Sequence, residues 1–241
     1  MPDEVDYYNR KWPICSNIRS LLTSLTKEPL KCDEYDAIAT KIEYWIEYVL
    51  REDFSTVDEL VEGVSYMAWE GDGSFANVGK FFREFRDAPH RSERAKTFVA
   101  QLCSHMLRWF AIASTEGQQG TRWVSRGGES GFIRAASFVG YLIEWGLLSH
   151  ELVRRHLTKP LTNSYYSCGF RADAIYKLFI AAGNTLLQGL LEPDDVRACF
   201  SLLDTRFNVL APTASHHQRL HTEKLKVQPT LMAISLLKPN L

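Results

Sequence analysis

Nowhere in the 241 residues does an apolar run approach the roughly 18 residues that a bilayer span requires, so no membrane segment is expected. The opening Met1-Pro2-Asp3-Glu4 is acidic and lacks the basic-then-apolar order of a secretory signal. Cysteine is sparse: the five thiols (Cys15, Cys32, Cys103, Cys168, Cys199) are odd in number, widely spaced and form no C-x-x-C. That usage suits reduced thiols better than a disulfide framework or a zinc site. A cytoplasmic location, with the nucleus as the alternative, is the expectation.

Catalytic signatures are missing as well. His217 and His221 stand at i, i+4 beside His216, but no H-E-x-x-H arrangement and no third ligand accompany them, so a surface histidine cluster is the reading. Gly71, Gly73 and Gly79 are spaced wrongly for either phosphate-cradling loop and read as a turn. There is no G-x-S-x-G, and Cys103 and His105 are too close along a helix to face one another. No catalytic residue, cofactor-binding residue or metal ligand is predicted, and the chain is expected not to be an enzyme.

What the sequence does contain is helical periodicity. It is 45% hydrophobic, enough for a sizeable core, and almost no segment alternates as a strand. Ile18, Leu21, Leu22 and Leu25 make a first apolar stripe; Ile38, Ile42, Trp45, Ile46 and Val49 make a second. Ser55 or Thr56 can cap a third helix carrying Leu60, Val61, Val64 and Met67. Phe75, Val78, Phe82 and Phe85 line a fourth, and Ser92 opens a long fifth through Phe98, Leu102, Met106 and Phe110. Farther on, Ala135, Phe138, Val139, Leu142 and Ile143 form a broad face in which Gly140 removes a side chain where another helix can approach. Gly146 ends that helix and Ser149 is placed to cap the next. A run from Arg171 to Leu187 and a helix begun by Pro193 follow.

These segments amount to about ten helices in about five antiparallel hairpins, near the roughly 40 to 47 residues of a HEAT-type repeat. The expected fold is all-α, the hairpins stacked as a HEAT-like solenoid or, on alternation and length alone, gathered as an irregular bundle. Residues 1–15 read as an N-terminal tail, 16–206 as the repeats, and 207–241 as a final hairpin or extension of the same domain.

Ser24-Leu25-Thr26 near the start, Phe138-Val139-Gly140-Tyr141-Leu142-Ile143, Gly146-Leu147-Leu148 and the later Ala181-Ala182-Gly183-Asn184-Thr185-Leu186 carry a resemblance. Over residues 16–206 the chain resembles the middle-domain family of eukaryotic translation initiation factor four gamma, whose hallmark helix reads F-[IV]-G-x-L-[FIY]. The resemblance implies five HEAT-like hairpins and a non-enzymatic scaffold of messenger-RNA metabolism or translation. Such a scaffold docks other proteins, often a DEAD-box helicase, and sometimes RNA.

The net charge of −1 conceals a polarity: residues 1–79 hold 7 Lys+Arg against 16 Asp+Glu, residues 80–159 hold 13 against 7, and residues 160–241 hold 8 against 6. In the basic middle block, Arg83, Arg86, Arg91, Arg94 and Lys96 cluster first, then Arg122 and Arg126, then Arg154, Arg155 and Lys159. They read either as a solvated helix face or as contacts for RNA or an acidic partner. The glycine-rich stretch Gly117–Gly131 reads as a loop, either a plain insertion or a contact in which Trp123 stacks while Arg122 and Arg126 hold phosphate or carboxylate.

Overall fold

A computed structural model describes residues 16–27, 29–51, 60–61, 64, 67–68, 74–116, 124–162, 168–183, 185 and 201; among them every regular element is helical and no strand occurs. The helices are α1 (residues 16–25), α2 (Cys32–Arg51), α3 (Ala76–Asp87), α4 (Glu93–Glu116), α5 (Val124–Glu144), α6 (His150–Thr162) and α7 (Cys168–Ala182). Leu60, Val61, Val64 and Met67, expected on one helical face, are helical and buried. The expected tail 1–15, the caps Ser55 and Thr56, the helix after Pro193, the histidine cluster and the segment 207–241 lie outside the described residues.

Local chemistry sets the ends. Ser92 caps α4, its Oγ accepting from the Ala95 amide at 3.2 Å; Ser149 caps α6 in the same way through Leu152 at 3.3 Å. α5 closes in a left-handed turn at Gly146, φ +63°, with the Gly146 amide donating to Ile143 and the Leu147 amide to Leu142, each at 2.9 Å. This reciprocal pair satisfies two carbonyls that the helix end leaves without partners. The start of α3 reaches back to α1: Asn77 Nδ2 donates to the Leu25 carbonyl at 3.2 Å and the Ser74 amide to the Thr26 carbonyl at 3.1 Å.

One expectation is corrected here. The glycine-rich stretch is not a loop up to Gly131, because α5 already begins at Val124 and takes in Gly127, Gly128 and Gly131. Each glycine costs a helix interior only about 1 kcal/mol, a penalty that the apolar packing of the same helix outweighs. Phe132, Ala135, Ala136, Phe138, Val139, Leu142 and Ile143 of α5 are all buried.

Alternate helices pack side by side, α5 against α7 and α3, and α4 against α6; α4 also touches α2. Successive helices α3 and α4, and α4 and α5, also touch. The tightest association is α5 on α7, where Gly140 faces the backbone of α7 so closely that a Cβ on it would stand 2.6 Å from the Leu178 carbonyl oxygen and 2.7 Å from Ala181 Cβ. Phe138, Leu142, Ile175 and Phe179 of these two helices are all buried. Aromatic pairs join the other helices. Phe110 of α4 stacks on Phe132 of α5 with centroids 4.9 Å apart, and Phe75, ahead of α3, meets Phe138 at 5.2 Å.

Candidate functional site

The basic residues named from sequence divide into distinct structural groups. Arg83 and Arg86, one turn apart at the end of α3, grip the end of α5. Arg83 donates to the Trp145 carbonyl at 2.6 Å and Arg86 to the Gly146 carbonyl at 3.0 Å, while both also bond Asp87. The bond from Arg86 holds the Asp87 carboxyl below its usual range; burial opposes it, and the bond from Arg83 and the charge of both guanidinium groups add to the lowering. Two cations at a helix C-terminus complement its partial negative charge. These guanidinium groups are already spent on main-chain carbonyls and a carboxylate.

Arg91, one of the candidate contacts in the basic cluster, does not stand at the surface: its side chain is only 7% exposed, in the turn between α3 and α4. One terminal nitrogen bonds Glu43, the other reaches Glu47 Oε1 at 3.2 Å, and the guanidinium lies over the Phe85 ring, 4.6 Å from its centroid. Its buried Nε has no acceptor among the described residues. Desolvation drove the arginine to two carboxylates and an aromatic face, so it presents nothing to a phosphate.

Lys96 pairs with Glu93 at 2.6 Å and Arg155 with Glu151 at 2.8 Å, both exposed i,i+3 or i,i+4 pairs of small energetic consequence. Arg94 and Arg154 are exposed on α4 and α6, two helices that pack together. Arg122 and Trp123 lie outside the described residues; Arg126 belongs to the first turn of α5 and Lys159 to α6. Among the described residues no group of three His, Cys, Asp or Glu side chains is placed to hold a metal, and no helix is long and apolar enough to cross a membrane.

An open cleft on α2 is one feature that sequence reasoning missed. Thr40, Glu43, Tyr44, Glu47, Tyr48 and Arg51 of α2, with Arg91 as the floor, line a cleft of about 460 Å³. α2 buries Ile42, Ile46, Val49 and Leu50, which leaves Thr40, Tyr44, Tyr48 and Arg51 along the opposite, solvent side. Tyr44 is 64% and Tyr48 37% exposed, two of the three large hydrophobic side chains that stand in solvent among the described residues. Trp45 makes an edge-to-face contact with each, at 5.5 and 6.1 Å between ring centroids. The signal in the sequence was a pair of tyrosines at i, i+4 on the polar side of an amphipathic helix.

Polar ties set α2 against the rest of the molecule. Beyond the Arg91 pairs, the buried Tyr35 hydroxyl donates to Glu84 Oε2 of α3 at 2.6 Å, and Lys80 lies 4.3 Å from the centre of the Tyr35 ring. Burial, and then the Glu84 carboxylate, push the Tyr35 phenol far above its ordinary range. No protein-family model, no curated protein and no solved structure matches this chain.

Proposed function

We propose that this chain is a non-enzymatic interaction scaffold that docks a protein partner, its helices stacked as a HEAT-like array of about five antiparallel hairpins. The side-by-side packing of alternate helices, α3 with α5 with α7 and α4 with α6, is what stacked hairpins produce, and such arrays offer extended binding surfaces. The observation that carries the docking reading is the exposed Tyr44–Tyr48 pair over a cleft whose floor is fixed by two ion pairs. Aromatic side chains exposed at a surface are what protein interfaces use as anchors.

By the sequence resemblance, the scaffold we propose would serve messenger-RNA metabolism or translation, in cytoplasm or nucleus, with a DEAD-box helicase as the partner class and RNA as a further ligand. A second reading, a helical-repeat adaptor with no link to RNA, draws support from the same arginines. Arg83, Arg86 and Arg91 are committed to internal partners, which removes three of the candidate arginines from a phosphate-facing surface. Co-purification from source-cell lysate with and without nuclease separates the two. A helicase retained after nuclease supports the scaffold of RNA metabolism; loss of all ribonucleoprotein components, with other proteins retained, supports the adaptor; recovery of no protein at all refutes docking.

A further inference from the structure

The cleft on α2 has a definite chemistry. Its two carboxylates both meet Arg91, Glu43 through Oε2 and Glu47 through Oε1, and both stay open to solvent, their side chains being 32% and 18% exposed. Arg91 neutralises one of the two charges, so the pair keeps one net negative charge, held in place by a cation that is itself almost wholly buried. Fixing the carboxylates in advance removes much of the ordering cost that a ligand would otherwise meet. Tyr44 and Tyr48 line the same cleft as these carboxylates, and an aromatic ring beside a carboxylate favours a cation twice over, through its π-face and through the charge.

The surroundings have the same sign. α2 carries Asp33, Glu34, Asp36, Glu43 and Glu47 against Lys41 and Arg51, and residues 1–79 as a whole hold 16 acidic against 7 basic side chains. Arg51, beyond Tyr48, makes the cleft positive at one end, so a cation is directed to the end at Glu43 and Tyr44. Nucleic acid is disfavoured there for the same reason.

From this juxtaposition we infer that the α2 cleft is the docking site for a basic segment of a partner protein, an arginine or lysine side chain of which lies between Tyr44 and Tyr48 and bonds the carboxylates of Glu43 and Glu47. The inference rests on the docking reading above and names its partner chemistry. Arginine is preferred to lysine, because its planar fork can meet two carboxylate oxygens while lying on a ring.

The test uses the full chain and fluorescent glycine-spaced peptides carrying arginine, lysine or glutamate, read by anisotropy at low and at physiological salt. The arginine peptide is expected to bind best, the glutamate peptide not at all, and binding to weaken as salt rises. Tyr44→Ser with Tyr48→Ser is expected to lower affinity for the arginine peptide about tenfold or more, the order expected of two partly desolvated cation–π contacts. Tyr44→Phe, which keeps the ring, is expected to retain it. Both tyrosines stand in solvent, so circular dichroism of the variants should match the parent. Equal binding of glutamate and arginine peptides, or arginine binding indifferent to loss of both rings, overturns the cleft assignment. If no peptide binds at low salt while a protein partner is still retained after nuclease, the inference fails and the docking reading survives.

Discussion

Replacing Gly140 by alanine tests the α5–α7 contact directly. In an isolated helix the change stabilises by roughly 0.5–1 kcal/mol, since glycine loses the most backbone freedom on folding. Here the new Cβ would stand 2.6 Å from the Leu178 carbonyl oxygen and 2.7 Å from Ala181 Cβ, against ordinary contact distances about 1 Å longer. One obstacle is main chain, so relief requires α7 to withdraw from α5 by several tenths of an ångström along its length. A gap of about 0.5–1 Å forfeits a quarter to a half of each dispersion contact, and Ile175, Leu178 and Phe179 are all buried in this layer. Overpacking of this kind costs about 1–3 kcal/mol, or more where backbone must move. We therefore expect a net loss of about 1–3 kcal/mol by urea unfolding, after the propensity gain. Gly79→Ala is the control: its Cβ would meet Trp145 Cδ1, also at 2.6 Å, but that ring is a side chain only partly buried and can turn. It should cost clearly less than Gly140→Ala. Equal costs, or a Gly140→Ala protein as stable as its parent, would refute the close approach of α5 and α7.

Leu142→Ala, at a fully buried site, is expected to cost about 2–5 kcal/mol, and a loss under about 0.5 kcal/mol in a denaturant melt would remove it from the core. Burial pushes the Cys103 thiol up to about 12, so peptide mapping after native alkylation at mildly alkaline pH should find the exposed Cys32 modified and Cys103 protected until the chain unfolds. Because the Asp87 carboxyl is held below its unfolded value, its contribution to stability is complete above the ordinary carboxylate range and is lost as pH falls through the depressed folded value. Melts of the parent and of Asp87→Asn should therefore converge in acid, and a difference that widens there would reverse the sign. Arg91→Ala leaves Glu43 and Glu47 without their cation and is expected to cost about 2–3 kcal/mol, below the 3–5 kcal/mol of a wholly buried pair because water still reaches Glu43.

The core was legible in the sequence because burial leaves a periodic trace. Gly140, Gly146, Ser92 and Ser149 each have one local requirement, and each does in the structure what its residue type demands. The start of α5 was not legible: glycines at 127, 128 and 131 signal a loop locally, and the apolar face that outweighs them is supplied by distant helices. The arginines were harder still. Arg91 is separated from Glu43 and Glu47 by more than forty positions and Arg83 from Trp145 by more than sixty, so charge clustering along the chain showed the cations without their partners. The tyrosine cleft was hidden for a related reason, since its floor and walls come from different elements.

The grip of Arg83 and Arg86 on the end of α5 narrows what evolution can place at those two positions. Each guanidinium bonds a main-chain carbonyl and the Asp87 carboxylate at once, with donors pointing in fixed and different directions. An ammonium group has the charge but not the planar spread, so lysine at either position keeps one bond by giving up the other. Close relatives of this chain, when compared, should treat arginine and lysine as unequal at positions 83 and 86 while exchanging them freely at 96 and 155, where a single exposed carboxylate is all there is to meet.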